Sequence, residues 1–199
     1  VEEYKMEIKI LNETEDRIEF EISETNVALM NALRRIIISE IPVLAIDEVH
    51  IYENSSCLDN EVLAHRLGLI PIRTVPGGAK SITLALDVSG PGTVYSKDLK
   101  VFEGGKLVSS EDVIPYGTIP IVKLTEWQRI KLEAIAKLGK AKEHSKWQAG
   151  LASYETEDEK TFKFFVESYG QLSPRELLAE AFRVLEEKLN ALEKVIEKD

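Results

Sequence analysis

Cysteine is nearly absent from this chain: Cys57 stands alone among 199 residues. A single thiol forms no internal disulfide, and it cannot by itself hold a cysteine-ligated zinc or an iron–sulfur cluster. A reducing compartment is thereby permitted. Long apolar runs are missing too, with nothing near the roughly 18 residues that suggest a membrane span. The first residues, Val1-Glu2-Glu3-Tyr4-Lys5, lack the basic-then-apolar order of a signal peptide. Together these absences predict a soluble, intracellular, cytoplasmic protein. Positive charge is in deficit, 25 Lys and Arg against 35 Asp and Glu, for a net charge of -10. That balance disfavours non-specific binding to a phosphate backbone except where basic residues cluster. Glutamine occurs only at Gln128, Gln148 and Gln171 beside a charged fraction of 30%, a balance found in thermophile proteins.

No catalytic constellation stands out. His50, Cys57 and His65 are the only compact grouping of a nucleophile with bases. A thiol needs an adjacent imidazole to become a reactive thiolate, and spacing alone does not bring these three together. A partly buried cysteine with two structural histidines is the simpler reading. A metal site built from His50, His65 and His144 lacks the i, i+4 histidine pair that would place two ligands on one helix face. Gly77-Gly78, Gly90-Pro91-Gly92 and Gly104-Gly105 match neither dinucleotide-binding nor P-loop spacing, and read as turns. The sequence therefore predicts no catalytic residue, no metal ligand and no cofactor.

Periodicity supplies what is there. Met6, Ile8 and Ile10, then Ile18, Phe20 and Ile22, alternate with charged residues over 5–11 and 17–23, predicting two half-buried strands in a hairpin. A helix follows from about Thr25 to Glu40, capped by Thr25 or Asn26 and stopped by Pro42, with Val27, Met30, Leu33, Ile36 and Ile37 at helical spacing. Val43 to Ile51 reads as a strand, and Asp59 opens a short helix that Gly68 ends as the residue just past it. Strands are expected at Ile82–Val88, around a turn within 119–136, and at Thr161–Ser168, with a helical alternative open for 125–138. The clearest element is the last. Ser173, Pro174 and Glu176 supply an N-cap, a first-position proline and a capping-box glutamate. Leu178, Phe182, Leu185, Leu189, Leu192 and Ile196 then recur at alternating four- and three-residue spacing, the seam of a coiled-coil-like helix. Part of that seam is expected to meet another chain. Hairpin and helix at one end, strand and long helix at the other, predict one domain, 1–41 and 148–199, interrupted by a mostly-β domain at 42–147.

Two basic features invite partners. Arg34 and Arg35 follow a nearly all-apolar helix face, and arginine forks suit bidentate contacts in interfaces; solvated charges on the polar face are the plainer alternative. Lys137, Lys140, Lys142, His144 and Lys146 precede Trp147. They suit an acidic partner or nucleic acid, or else a solvated loop anchored by a buried Trp147 and neutralised by the acidic run Glu155–Glu159.

Four segments, in order, carry a resemblance: Asn31-Ala32-Leu33-Arg34-Arg35-Ile36-Ile37-Ile38-Ser39-Glu40-Ile41-Pro42, Glu61 to Ile72, Asp87 to Ser96, and Gly139 to Gln148. The first is similar to the first helix of RNA polymerase alpha N-terminal domains and their archaeal and eukaryotic counterparts. The whole set resembles the D-type, alpha-like subunits of archaeal DNA-directed RNA polymerases. The resemblance implies an α+β fold, an alpha-like dimerisation domain of antiparallel strands plus two helices, interrupted by an inserted mostly-β domain. It implies a non-catalytic assembly platform of DNA-dependent RNA polymerase that pairs with the small alpha-like subunit L through Thr25–Glu40 and Ser173–Lys198. Subunits N and P and the two largest subunits would join afterwards; no membrane is expected, and the net charge of -10 disfavours direct DNA contact. Met30, Leu33, Arg34, Arg35, Ile37, Leu178, Phe182, Leu185, Leu189, Leu192 and Ile196 are the implied partner-binding residues. Arg35 holds the position tied to the second-largest subunit, and Arg34 supports it. A self-sufficient homodimer like bacterial alpha, and a small Cys/His enzyme, are the alternatives. The chain departs from the family between Ala149 and Lys160, where about a dozen residues stand in place of a ferredoxin-like domain that in some members binds iron–sulfur clusters; Cys57 lies elsewhere, so no cluster is expected.

Overall fold

A computed structural model describes residues 6–156, 158 and 160–197. The described chain divides into two compact units, residues 1–41 with 140–199, and residues 42–139.

The first unit is a four-stranded antiparallel sheet with two helices. Its strands are β1 (Glu7–Glu13), β2 (Arg17–Ser23), β10 (Gly150–Thr156) and β11 (Phe162–Ser168), and its helices α1 (Val27–Ser39) and α4 (Pro174–Ile196). The order β1-β2-β11-β10 sets strands from opposite ends of the chain side by side at the centre. Period-two alternation gives β2 and β11 one apolar face each, and the register joins those faces: Ile18 opposite Val166, Phe20 opposite Phe164, Ile22 opposite Phe162. The Phe20 and Phe164 rings stack at 5.3 Å, and all six side chains are buried. Helix α1 packs on β10 and α4, and α4 packs on β11 and β2. At Gly150 strand and helix meet so closely that a Cβ would lie 2.3 Å from the Glu167 carbonyl oxygen and 3.0 Å from Leu177 Cδ1. Only glycine fits there.

Three expectations for this unit change. β1 is exposed along its whole length rather than half-buried, because the two helices pack over β10, β11 and β2 and leave its apolar face uncovered; Lys5, the start of the expected strand, lies outside the described residues. Residues 140–147 belong to this unit rather than to the inserted one: the Lys142 N–H donates to the Ser39 carbonyl at the end of α1, 3.0 Å away, and Trp147 is buried. Ala149 to Lys160, expected only to stand in place of a ferredoxin-like domain with a solvated acidic loop from Glu155, contains β10, paired with β11 from Gly150 to Thr156. Asp158 closes the turn beyond β10, its carboxylate accepting from the Thr161 and Lys160 N–H groups at 2.6 and 3.1 Å. Those donors hold its pKa below the usual aspartate value. Glu157 and Glu159 of the acidic run lie outside the described residues.

The second unit is mostly β. It holds β3 (Val43–Asn54), α2 (Asn60–Gly68), β4 (Ser81–Ser89), β5 (Gly92–Tyr95), β6 (Lys100–Glu103), β7 (Lys106–Val108), the one-turn α3 (Ser110–Val113), β8 (Pro120–Leu124) and β9 (Arg129–Gly139). A five-stranded antiparallel sheet runs β3-β9-β4-β6-β7, and β5 pairs with β8. Leu63 and Leu67 of α2 join Leu44, Ile46, Leu84, Leu86, Ile130 and Leu132 in its core. Residues 125–138 are turn and strand, so the helical alternative falls. Gly68 ends α2 from within; Leu69 is the cap, and its N–H reaches the Arg66 and Leu67 carbonyls.

Candidate protein interface

The two helices of the first unit differ in what their apolar residues touch. Helix α1 starts at Asn26, whose Oδ1 accepts from the Leu29 N–H at 2.9 Å. Its apolar stripe, Met30, Leu33, Ile36 and Ile37, is at most 4% exposed, so it forms the unit's own core. Met30, Leu33 and Ile37, expected at a partner interface, therefore have no surface to offer one. The outward side of α1 carries Val27, Ala28 and Arg35. Arg34 is half-buried and turned back on its own helix, its Nε and Nη2 donating to Asn31 Oδ1 at 3.3 and 3.0 Å. Arg35 is exposed, and its guanidinium forms no ion pair among the described residues.

Helix α4 is built to stand away from the unit. Ser173 accepts from the Glu176 N–H while Glu176 accepts from the Ser173 N–H at 2.8 Å, closing the capping box ahead of Pro174. Arg175 clamps the first turn to β1 through a two-pronged pair with Glu13, Nη2 to Oε2 at 2.5 Å. One face then packs inward through Leu177, Ala181 and Val184. The next residue on that face is Lys188, whose Nζ donates to Glu40 Oε1 at 2.9 Å. Beyond it no described residue of α4 is buried. Leu178 and Leu185 are partly covered, while Phe182, Leu189, Leu192, Val195 and Ile196 are 38 to 68% exposed. A 23-residue helix is about 34 Å long, and its last turns offer large apolar side chains to solvent. A soluble monomer gains nothing by that arrangement.

The basic cluster divides. Glu40, at the end of α1, gathers Lys188 with Lys140 and Lys142, the latter two each 3.9 Å away. The Lys188 hydrogen bond, opposed by desolvation and helped by the charges of Lys188, Lys142 and Lys140, holds the Glu40 pKa below the usual 4.5. Lys146 lies over the Trp147 ring at 4.3 Å, and His144 Nδ1 accepts from the Lys146 N–H at 3.1 Å. Trp147 thus anchors this loop, with lysines spent partly on Glu40. In the second unit Lys137 pairs with Asp47 at 3.7 Å and with Glu48.

Cys57 is an exposed free thiol between β3 and α2. No hydrogen bond among the described residues joins it to His50 or His65, and no group of three metal-ligating side chains is found among them. No helix among the described residues is long and apolar enough to cross a membrane.

Sequence periodicity picked out the apolar row of α4, of which Phe182, Leu189, Leu192 and Ile196 lie exposed, but missed Val195, which falls outside its four- and three-residue spacing, and the Glu40–Lys188 pair, separated by 148 residues. It also missed that Ile8 and Ile10 of β1 lie exposed opposite buried Ile22 and Phe20. Alternation marks a two-faced strand; it does not reveal whether anything covers the apolar face.

Comparison with known proteins bears on what uses this surface. The DNA-directed RNA polymerase subunit Rpo3 of Methanocaldococcus jannaschii is 46% identical over 163 residues, 81% of this chain and 81% of that protein. The subunits of the same name from Pyrococcus horikoshii and Thermococcus kodakarensis are 45% and 44% identical over 159 residues, 75% of this chain and 59% of each of them. The chain thus spans less than two thirds of the length of those two relatives. The model of the RNA polymerase Rpb3/Rpb11 dimerisation domain matches residues 19–189, from β2 into the exposed part of α4, and the chain belongs to that family.

Proposed function

We propose that this chain is a non-catalytic assembly platform of a DNA-dependent RNA polymerase, acting in the cytoplasm. The observation that carries the reading is the row Phe182, Leu189, Leu192 and Ile196, left in solvent on a helix whose opposite face is fully used. Burying such side chains yields about 1.5–3 kcal/mol each, which favours a partner that lays its own apolar helix along α4. The family match and the polymerase subunits it resembles support the small alpha-like subunit L as that partner. Phe182, Leu185, Leu189, Leu192 and Ile196 form the contact, with Leu178 at its margin. Arg35, exposed on α1, then receives the second-largest subunit, while Arg34 holds the helix surface beside it. Subunits N and P and the largest subunit complete the assembly. The chemistry of nucleotide addition belongs to other subunits, and this chain needs no cofactor.

The test is the mass of the purified chain in solution, alone and with a candidate alpha-like partner. A one-to-one complex is expected, and Leu189→Glu should abolish it, because a buried unpaired carboxylate costs several kcal/mol. A monomer indifferent to the partner would sink the proposal. A tight self-dimer that the partner fails to displace would establish the homodimeric scaffold instead.

A further inference from the structure

The tight connection from β8 to β9 in the second unit, which carries the chain from the β5-β8 pair into the five-stranded sheet, is the turn Thr125-Glu126-Trp127-Gln128. Trp127 is 95% exposed and sits at φ 68°, in the left-handed region that glycine or asparagine normally fills. A large aromatic ring here costs backbone strain and gains no burial within the chain. Its other tryptophan, Trp147, is buried.

The tip is nevertheless firmly held. The Thr125 N–H donates to Gln128 Oε1 at 2.7 Å, and the Gln128 N–H reaches back to the Thr125 carbonyl at 3.3 Å. The end of β4 braces one side, with the Gly90 N–H donating to the Gln128 carbonyl at 2.8 Å. A Cβ on Gly90 would lie 2.2 Å from the Thr125 carbonyl oxygen, so the brace fits only as glycine. The end of β3 braces the other, through Ser55 Oγ accepting from the Arg129 N–H at 2.7 Å. Arg129 is itself engaged by Asp87 at 2.8 Å and Glu53 at 3.7 Å. A rigid turn that presents an exposed indole suits an interface anchor, since the backbone's ordering entropy is already spent and aromatic anchors dominate binding energy.

We propose that Trp127 anchors the second unit to a neighbouring protein subunit of the polymerase, entering an apolar pocket with a basic rim. The inference rests on the assembly reading above. The basic rim follows from charge: Glu126 forms no ion pair among the described residues, Arg129 is occupied by two carboxylates, and the chain carries -10 overall. The same charge argues against base stacking on nucleic acid.

The test is reconstitution of the polymerase from its purified subunits, with this chain wild-type, Trp127→Gly or Trp127→Ala. Trp127→Gly removes both anchor and strain, so its melting temperature should equal or exceed wild-type, pairing with the alpha-like partner through α4 should be unchanged, and incorporation into the polymerase should weaken about tenfold or more. Trp127→Ala should show the same loss. In wild-type chain labelled with 5-hydroxytryptophan, iodide should quench Trp127 in the free chain and cease to do so in the assembled enzyme. Normal incorporation of both variants, or an indole still quenched after assembly, overturns the proposal. So does protection of Trp127 by self-association of the chain, or by nucleic acid added to the free chain. A wild-type chain that never incorporates overturns the assembly reading itself.

Discussion

Helices α1 and α4 look alike in sequence, each with an apolar stripe at helical spacing and basic residues nearby, yet only one keeps its stripe for itself. Every large apolar residue on the inner side of α1 is sealed, whereas α4 seals Leu177, Ala181 and Val184 and leaves the row from Phe182 to Ile196 in water. The difference lies in geometry rather than hydrophobicity. The 13-residue α1 buries its stripe along its length; in the 23-residue α4 the last buried residue is Val184, and every described residue beyond Lys188 is exposed. Periodicity reports that a stripe will be buried, and length decides whose core it enters.

The sharpest way to break that contrast is to truncate one leucine from each helix. Leu33→Ala should cost about 3–5 kcal/mol and lower the melting temperature strongly, because the cavity opens at a fully buried position. Leu189→Ala should change the stability of the isolated chain by only about 0.5 kcal/mol or less. Equal losses would mean that α4 is covered within the chain and that the proposed interface is misplaced.

Arg35→Ala comes next in size. With no ion pair to lose among the described residues, the chain should melt as wild-type and still pair through α4, while binding of the second-largest subunit should weaken by about 1–2 kcal/mol. Loss of the α4 pairing would count against the assigned role.

The smallest effect tests how α4 is tied to α1. Glu40→Gln should lower stability at neutral pH by about 1 kcal/mol or less, the range for partly exposed ion pairs. The carboxyl's pKa is depressed in the folded chain, so its contribution is present above the unfolded value, near 4.5, and is lost as pH falls through the lower folded value. Denaturation of both proteins across that range should show the gap closing in acid. A gap that persisted there would place its origin outside the lysine contacts.

Much of this was legible beforehand because local chemistry determined it. The capping box at Ser173, the register-forming alternation of Ile18, Phe20 and Ile22, and the stop at Pro42 depend only on neighbours in sequence. What escaped depended on distant partners. Residues 140–147 read as part of the inserted domain because their basic composition says nothing about a carbonyl at Ser39 or a carboxylate at Glu40. Short strands such as Lys106–Val108 hold too few residues to show a period. At the proposed interface, the spacing of Leu178 to Ile196 marked the seam, whereas the family resemblance drew in Met30, Leu33 and Ile37, which the fold uses inwardly. Trp127 passed unnoticed because its left-handed backbone is invisible in a one-letter code.

The strand order of the first unit also sets a timetable. As the ribosome emits the chain, β2 waits with one edge unpaired until residues 162–168 arrive to lie beside it, by which time every residue of the intervening unit has already been made. The seam on α4 follows later still. A nascent chain therefore cannot present α4 in place before the residues that seat it exist, so a partner that recognised α4 as proposed would select for finished first units without any separate inspection step.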